Sequence, residues 1–263
     1  MSFDRAILGR TGIEVCRLGL GSSYGAPASA VEQAFDHGVN YFYWGSMRRS
    51  SFGDGLRNLA PRRERFLLVT QSYSRMASVI APSLERALRA LRFDYTDALL
   101  LGLWNGAPPP RILDACRKLR ERGLVRYLAV STHNRPLIAR LAPDPQFDIF
   151  HVRYNAVHRG AEREVFPRLL AGKPPGLVSF TATSWRQLLG HRRIPHGEKI
   201  PTAADCYRFV LTEPAVNVCM TGPADAAQFV QALEALRRGP MGEDELAWMR
   251  RVGDAIYGKA RKV

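Results

Sequence analysis

The chain has 263 residues, 46% of them hydrophobic and 24% charged, which provides for one substantial core and excludes an intrinsically disordered chain. Its formal net charge of +14 rests on arginine, because lysine occurs only as Lys118, Lys173, Lys199, Lys259 and Lys262; the arginines are spread rather than blocked, which favours a solvated surface and makes nucleic acid an unlikely partner. No apolar run approaches the roughly 20 residues of a membrane span. The first ten residues lack the apolar stretch of a signal peptide. Cys16, Cys116, Cys206 and Cys219 lie far apart without a CxxC pair, so no metal site is expected and a reduced, cytoplasmic protein is.

In chain order, Arg17 to Gly21 reads as a short strand, Ala30 to His37 as a helix and Val39 to Trp44 as a strand. Phe66 to Thr70 is a strand, and Ala81 to Arg92 is helical. Asp97 to Leu103 is nearly all apolar, as a strand buried on both faces should be. Asp114 to Arg122 is a helix stopped by Gly123, and Val125 to Ser131 is a strand. Ile149 to Arg153, Leu177 to Phe180 and Val216 to Met220 continue the series. Strands alternating with helices predict a parallel sheet of βαβ units, closed as a (β/α)8 TIM barrel or open as a doubly wound sheet. Gly19-Leu20-Gly21 does not decide for the open sheet, because Tyr24 stands where a dinucleotide fingerprint needs its third glycine. No domain boundary stands out, and residues 1–263 read as a single domain. In a barrel, the loops after the strands build the site, which makes the Gly/Pro-rich stretch Asn105 to Pro110 a candidate rim loop.

Several stretches then resemble one family in the right order. Leu8 to Val15 (LGRTGIEV) is similar to the opening β-hairpin of aldo-keto reductases, and Gly38 to Phe42 to their second strand. Ser83 to Asp97 resembles the helix and strand start that precede the family's catalytic histidine. Gly123 to Ser131 resembles its GxxRxxGxS strand. Tyr154-Asn155 and Thr221-Gly222 to Gln228 match later landmarks. The resemblance covers nearly the whole chain. It implies a (β/α)8 barrel with an N-terminal hairpin and hydride transfer from a nicotinamide cofactor to a carbonyl.

The family's tetrad is Asp, Tyr, Lys and His, and the resemblance places other residues at those positions. Tyr43 stands for the aspartate, Gln71 for the lysine and Gly102 for the histidine. The tyrosine position falls on Arg48, or on Phe52 if a short insertion is allowed. The cofactor side implied by the resemblance is Ser131 and Thr132 at the nicotinamide carboxamide, with His151 in place of a glutamine. Phe180 falls where a ring stacks on the nicotinamide. Gly222, Gln228 and Gln231 lie in the adenosine-phosphate segment, Gln228 where an arginine is usual. NADP is favoured by the family alone, and NAD stays open because the guanidinium that pairs with a 2′-phosphate is replaced.

The candidate catalytic residues are therefore Tyr43, a displaced phenolic donor beside Arg48, and His133 and His151, acids or bases near neutral pH. His158 is a further candidate for the rim, and Arg153 and Arg159 are candidate anion clamps or surface ion pairs. Trp44, Trp104 and Trp185 are candidates for an apolar cage around a flat small-molecule substrate. Three functions compete: an oxidoreductase with an atypical active site, a non-catalytic cofactor-sensing barrel, and a redox-neutral isomerase or lyase on the same fold.

Overall fold

In the computed structural model, residues 3, 5–45, 48–169, 172–191 and 194–260 are described. A short antiparallel pair, β1 (Ala6–Ile7) and β2 (Glu14–Val15), comes first. Eight parallel strands follow: β3 (Leu18–Gly21), β4 (Tyr41–Trp44), β5 (Leu67–Ser72), β6 (Thr96–Leu101), β7 (Val125–Thr132), β8 (Ile149–Arg153), β9 (Gly176–Phe180) and β10 (Val218–Thr221). They close in chain order, because β10 pairs with β3 as well as with β9. The open doubly wound alternative is thereby excluded.

Strand parity explains why the middle of these runs is apolar on both faces. Tyr41, Leu67, Val69, Ala98, Leu100, Ala129, Ile149, Val178 and Val218 fill the barrel interior. Their alternates, such as Phe42, Leu68, Leu99, Leu101, Val130, Phe150 and Val152, pack outward into the helix layer. Leu8 and Val15 of the hairpin join the interior cluster at the N-terminal end, so the hairpin stoppers that mouth. There Asp97 accepts from the Leu68 amide (2.8 Å), Arg63 (2.6 Å) and Arg126 (3.2 Å), binding β5, β6 and β7 into one buried polar knot.

The helices are α1 (Ala28–Asp36), α2 (Ser50–Asn58), α3 (Ala77–Leu91), α4 (Pro110–Glu121), α5 (Arg135–Leu141), α6 (Ala161–Glu164), α7 (Ala203–Thr212), α8 (Ala226–Arg238) and α9 (Glu243–Ala260). Three differ instructively from expectation. The helix expected from Ala81 starts at Ala77 and carries Pro82 within it, where the imide forgoes one helical hydrogen bond. α2 was hidden by its serines and glycines, which are poor helix formers. α7 is buried from Ala204 to Leu211 and so shows no amphipathic stripe. It is announced instead by its capping box, Thr202 with Asp205. Among the described residues no helix is long and apolar enough to cross a membrane. No group of side chains there is arranged to hold a metal, and all four cysteines are buried free thiols.

Candidate active site

The parity that fills the barrel also aims its upper residues. Tyr43, Gln71, Ser131, His151 and Phe180 end their strands facing the C-terminal mouth, and all line a cavity of about 820 Å³. His133, Gly222, Gln228 and Gln231 line it too. Thr132 does not: it is buried, and its hydroxyl accepts from the Asn134 amide (2.9 Å) to shape the loop after β7.

Tyr43 donates its phenolic hydrogen to Oε1 of Gln71. A side chain at residue 45 would collide with that phenol, so Gly45 is what lets the ring lie where it does. Arg48 lies behind the pair rather than on the cavity wall. Its guanidinium donates to the Gln71 carbonyl (2.8 Å) and rests over the Trp44 ring at 5.8 Å. Burial lowers the Arg48 pKa, and charge coupling to Tyr43 opposes that shift, which places the cation within electrostatic reach of the phenol. The other candidate for the tyrosine position, Phe52, is wholly buried against Phe42 and belongs to the core.

Gly102 follows the end of β6, and the space a side chain there would need is taken. A Cβ would meet Nε2 of Gln71 and come within 2.6 Å of the Tyr73 ring. Gln71 and Tyr73 thus fill the space beside Gly102, where the resemblance implies a histidine position. Tyr73, half-exposed on the cavity wall, was missed in the sequence, although it stands two residues beyond Gln71, just past the end of β5. Tyr24, which covers Gly222, and Leu103 are further wall residues that the sequence did not flag.

Ser131 accepts from the Leu103 amide (2.9 Å), leaving its own hydrogen to donate. His151 is buried, and its Nε2 lies 2.8 Å from the Tyr41 hydroxyl. Burial pushes its pKa down to about 3, which corrects the expectation of an acid or base near neutral pH: the ring is a neutral hydrogen-bonding group there. His133 is lowered as well, by burial and then by Arg153, and stands 6.0 Å from the Phe180 ring. His158 falls to about 4 through burial and neighbouring cations; its Nδ1 lies 3.2 Å from Asn155, and it is off the cavity wall. The tryptophan cage does not form. Trp44 and Trp104 are buried away from the cavity, the latter under Arg75 at 4.0 Å, and only Trp185 faces it. Arg159 is a surface ion pair with Asp254 (2.6 Å). Gln228 turns back on the start of α8, accepting from the Ala224 amide (3.0 Å). Among the described residues no carboxylate lines the cavity.

The fold is paralleled in known proteins. The sequence pattern of the aldo/keto reductase family matches residues 22–184, more than half of the chain. A curated aryl-alcohol dehydrogenase of Pestalotiopsis microspora is 30% identical over 92 residues, 32% of this chain; the match spans about a quarter (24%) of that relative's length. Solved structures of an aldo-keto reductase from Bacillus halodurans superpose with a TM-score of 0.77 in both apo and holo forms. They share 19% and 20% identity, over 94% of this chain and 95% of theirs, and so speak for the fold. With the closed barrel, the hairpin that stoppers it and the family pattern across β4 to β9, this chain belongs to the aldo/keto reductase family.

Proposed function

We propose that this protein is a nicotinamide-dependent oxidoreductase acting on a carbonyl or alcohol, with Tyr43 as proton donor in place of the family's tetrad. One observation carries the reading: the phenol in the barrel mouth is held by Gln71 with the Arg48 cation behind it. A phenol gives up its proton readily only where the phenolate is stabilised, and a nearby cation does that. The Gln71 amide adds to it, because on rotation it presents an N–H where its oxygen now accepts. Neutral His151 orients and does not protonate.

The residues present fit a nicotinamide nucleotide. The cavity lies within the roughly 300–1,000 Å³ usual for ligand sites. The lack of carboxylates among the described lining residues suits an anionic dinucleotide. Ser131 would donate to the carboxamide, Phe180 would flank the ring, and Gln228 and Gln231 would face the adenosine end beside Gly222. When bound, the cofactor supplies a hydride to the carbonyl carbon. The glutamine at 228 leaves both NADP and NAD open. The substrate is a small molecule, and the setting cytoplasmic.

The test is a titration with NADPH and with NADH, followed by tryptophan fluorescence, and then turnover of Tyr43→Phe. Saturable binding is expected, with turnover lowered about 10²-fold or more in the variant. Binding of neither nucleotide would end the oxidoreductase reading. A Tyr43→Phe rate equal to the parent's would remove Tyr43 as donor, and binding without any turnover would turn the reading toward a sensor.

A further inference from the structure

β8 continues its inward parity past His151 to Arg153, about 6–7 Å further along at roughly 3.3 Å per residue. Arg153 pairs in the ladder with Phe180 of the cavity wall. Its guanidinium lies 5.8 Å from the Trp185 ring centroid, and it acts electrostatically on His133, a cavity-wall residue, and on His158. Arg153 is half-buried and is not itself among the residues lining the cavity; Trp185 and His133, which its guanidinium neighbours, are.

What Arg153 lacks is an anion. Other arginines around the barrel have one: Arg63 and Arg126 at Asp97, Arg120 at Asp148, Arg135 at Glu164, Arg159 at Asp254 and Arg250 at Glu162. Among the described residues Arg153 has neither an ion pair nor a hydrogen bond, only the indole. Its pKa is lowered, by burial first and by Arg135 second, so the site holds its charge at a cost. With no carboxylate within ion-pair distance among the described residues, and with Arg135 already paired to Glu164, Arg153 is available to an incoming anion. Trp185 is held over it with a left-handed backbone (φ 51°), as are Ser184 (φ 49°) and Arg186 (φ 68°). Three consecutive non-glycine residues in that region are costly and persist only where surroundings impose them.

We infer that Arg153 is the anion anchor of the cavity rim, and that the substrate is a carbonyl compound carrying a carboxylate remote from its reacting carbon. This rests on the oxidoreductase reading. The chain of spacings supports it: the Tyr43 and His151 rings are 6.2 Å apart, and Arg153 lies two residues beyond His151. A molecule with its oxygen at Tyr43 would have to extend past His151, by an aromatic ring or a comparable spacer, to meet Arg153. The planar guanidinium fork matches a carboxylate bidentately, with Trp185 flanking the body of the ligand.

The experiment compares 4-(hydroxymethyl)benzoate with its uncharged methyl ester, titrated by tryptophan fluorescence with saturating NADPH and without nucleotide. Turnover of 4-carboxybenzaldehyde is measured in parallel. The acid is expected to bind about tenfold or more tighter than the ester, as a charge-assisted pair implies. Arg153→Gln should erase that preference, and Arg153→Lys should keep part of it. Equal affinity for acid and ester in the parent protein would overturn the inference, as would a preference that survives in Arg153→Gln. A preference present without nucleotide but abolished by NADPH would also overturn it, assigning Arg153 to a cofactor phosphate. A preference lost in Arg153→Gln with no turnover of any aldehyde would support the anchor and sink the oxidoreductase reading instead.

Discussion

Gly102 carries a prediction whose size follows from the packing. An ideal Cβ there meets Nε2 of Gln71 and lies 2.6 and 2.7 Å from two carbons of the Tyr73 ring. Optimal carbon contacts are about 3.5–4.0 Å, so Gly102→Ala overlaps Tyr73 by about 1 Å. The Gln71 amide has a flexible stem, but moving it breaks its bond to Tyr43, at about 0.5–1.5 kcal/mol. Adding the displacement of a ring brings the cost to about 1–3 kcal/mol, the usual range for overpacking. At roughly 2–4 °C per kcal/mol for a chain of this size, melting should fall by about 2–12 °C. Gln71→Ala removes the nearest obstacle, so the same Gly102→Ala change should cost at least about 1 kcal/mol less in that background. Urea denaturation of the four proteins in this cycle measures the coupling. Additivity within about 0.5 kcal/mol would refute the claim that Gln71, Tyr73 and Gly102 form one packing unit. It would also reopen the simple reading of Gly102 as a vacated histidine position.

Two further predictions concern acid stability and the base of the barrel. His151 is held at about 3 and His158 at about 4, against about 6.5 in an unfolded chain, so between these values the unfolded state binds protons that the native state refuses. Stability is then full above about pH 6.5 and falls as pH drops toward 3; His151→Gln should flatten that fall, and parallel melting curves between about pH 7.5 and about pH 4.5 would count against it. Asp97→Ala strands Arg63 and the Leu68 amide at the base of the barrel and should cost about 3–5 kcal/mol in urea denaturation, with Asp97→Asn milder; a loss under about 1 kcal/mol would show the knot to be dispensable.

Much of the fold was legible because a barrel strand leaves a strong mark. Buried on both faces, Ala98 to Leu101 are apolar throughout and Ile149 to Val152 at all but His151, and turn residues punctuate the series. The helices were less legible where burial removes their polar face, as in α7, or where loop-like residues build them, as in α2. Of the candidate site, Tyr43, Gln71, Ser131, His151 and Phe180 could be named because the family resemblance implies their positions at the strand ends, and all five line the cavity. Tyr73, one residue past the end of β5, could have been placed with them, while the sequence admits Arg153 as an anion clamp or a surface ion pair.

By itself the sequence determined the strand series, the family resemblance and which side chains face the barrel's upper end, since these depend on local period and chain order. Only the tertiary structure decided what those side chains meet. Closure sets β4, β5 and β6 side by side, so the Tyr43 phenol finds Gln71, and Gln71 and Tyr73 take the space beside Gly102. It buries His151 deeply enough to keep it neutral, turns Trp44 and Trp104 away from the cavity, and leaves Arg153 without an anion among the described residues. Charge state and partnership depend on neighbours distant in the chain, and the local period of a sequence does not contain them.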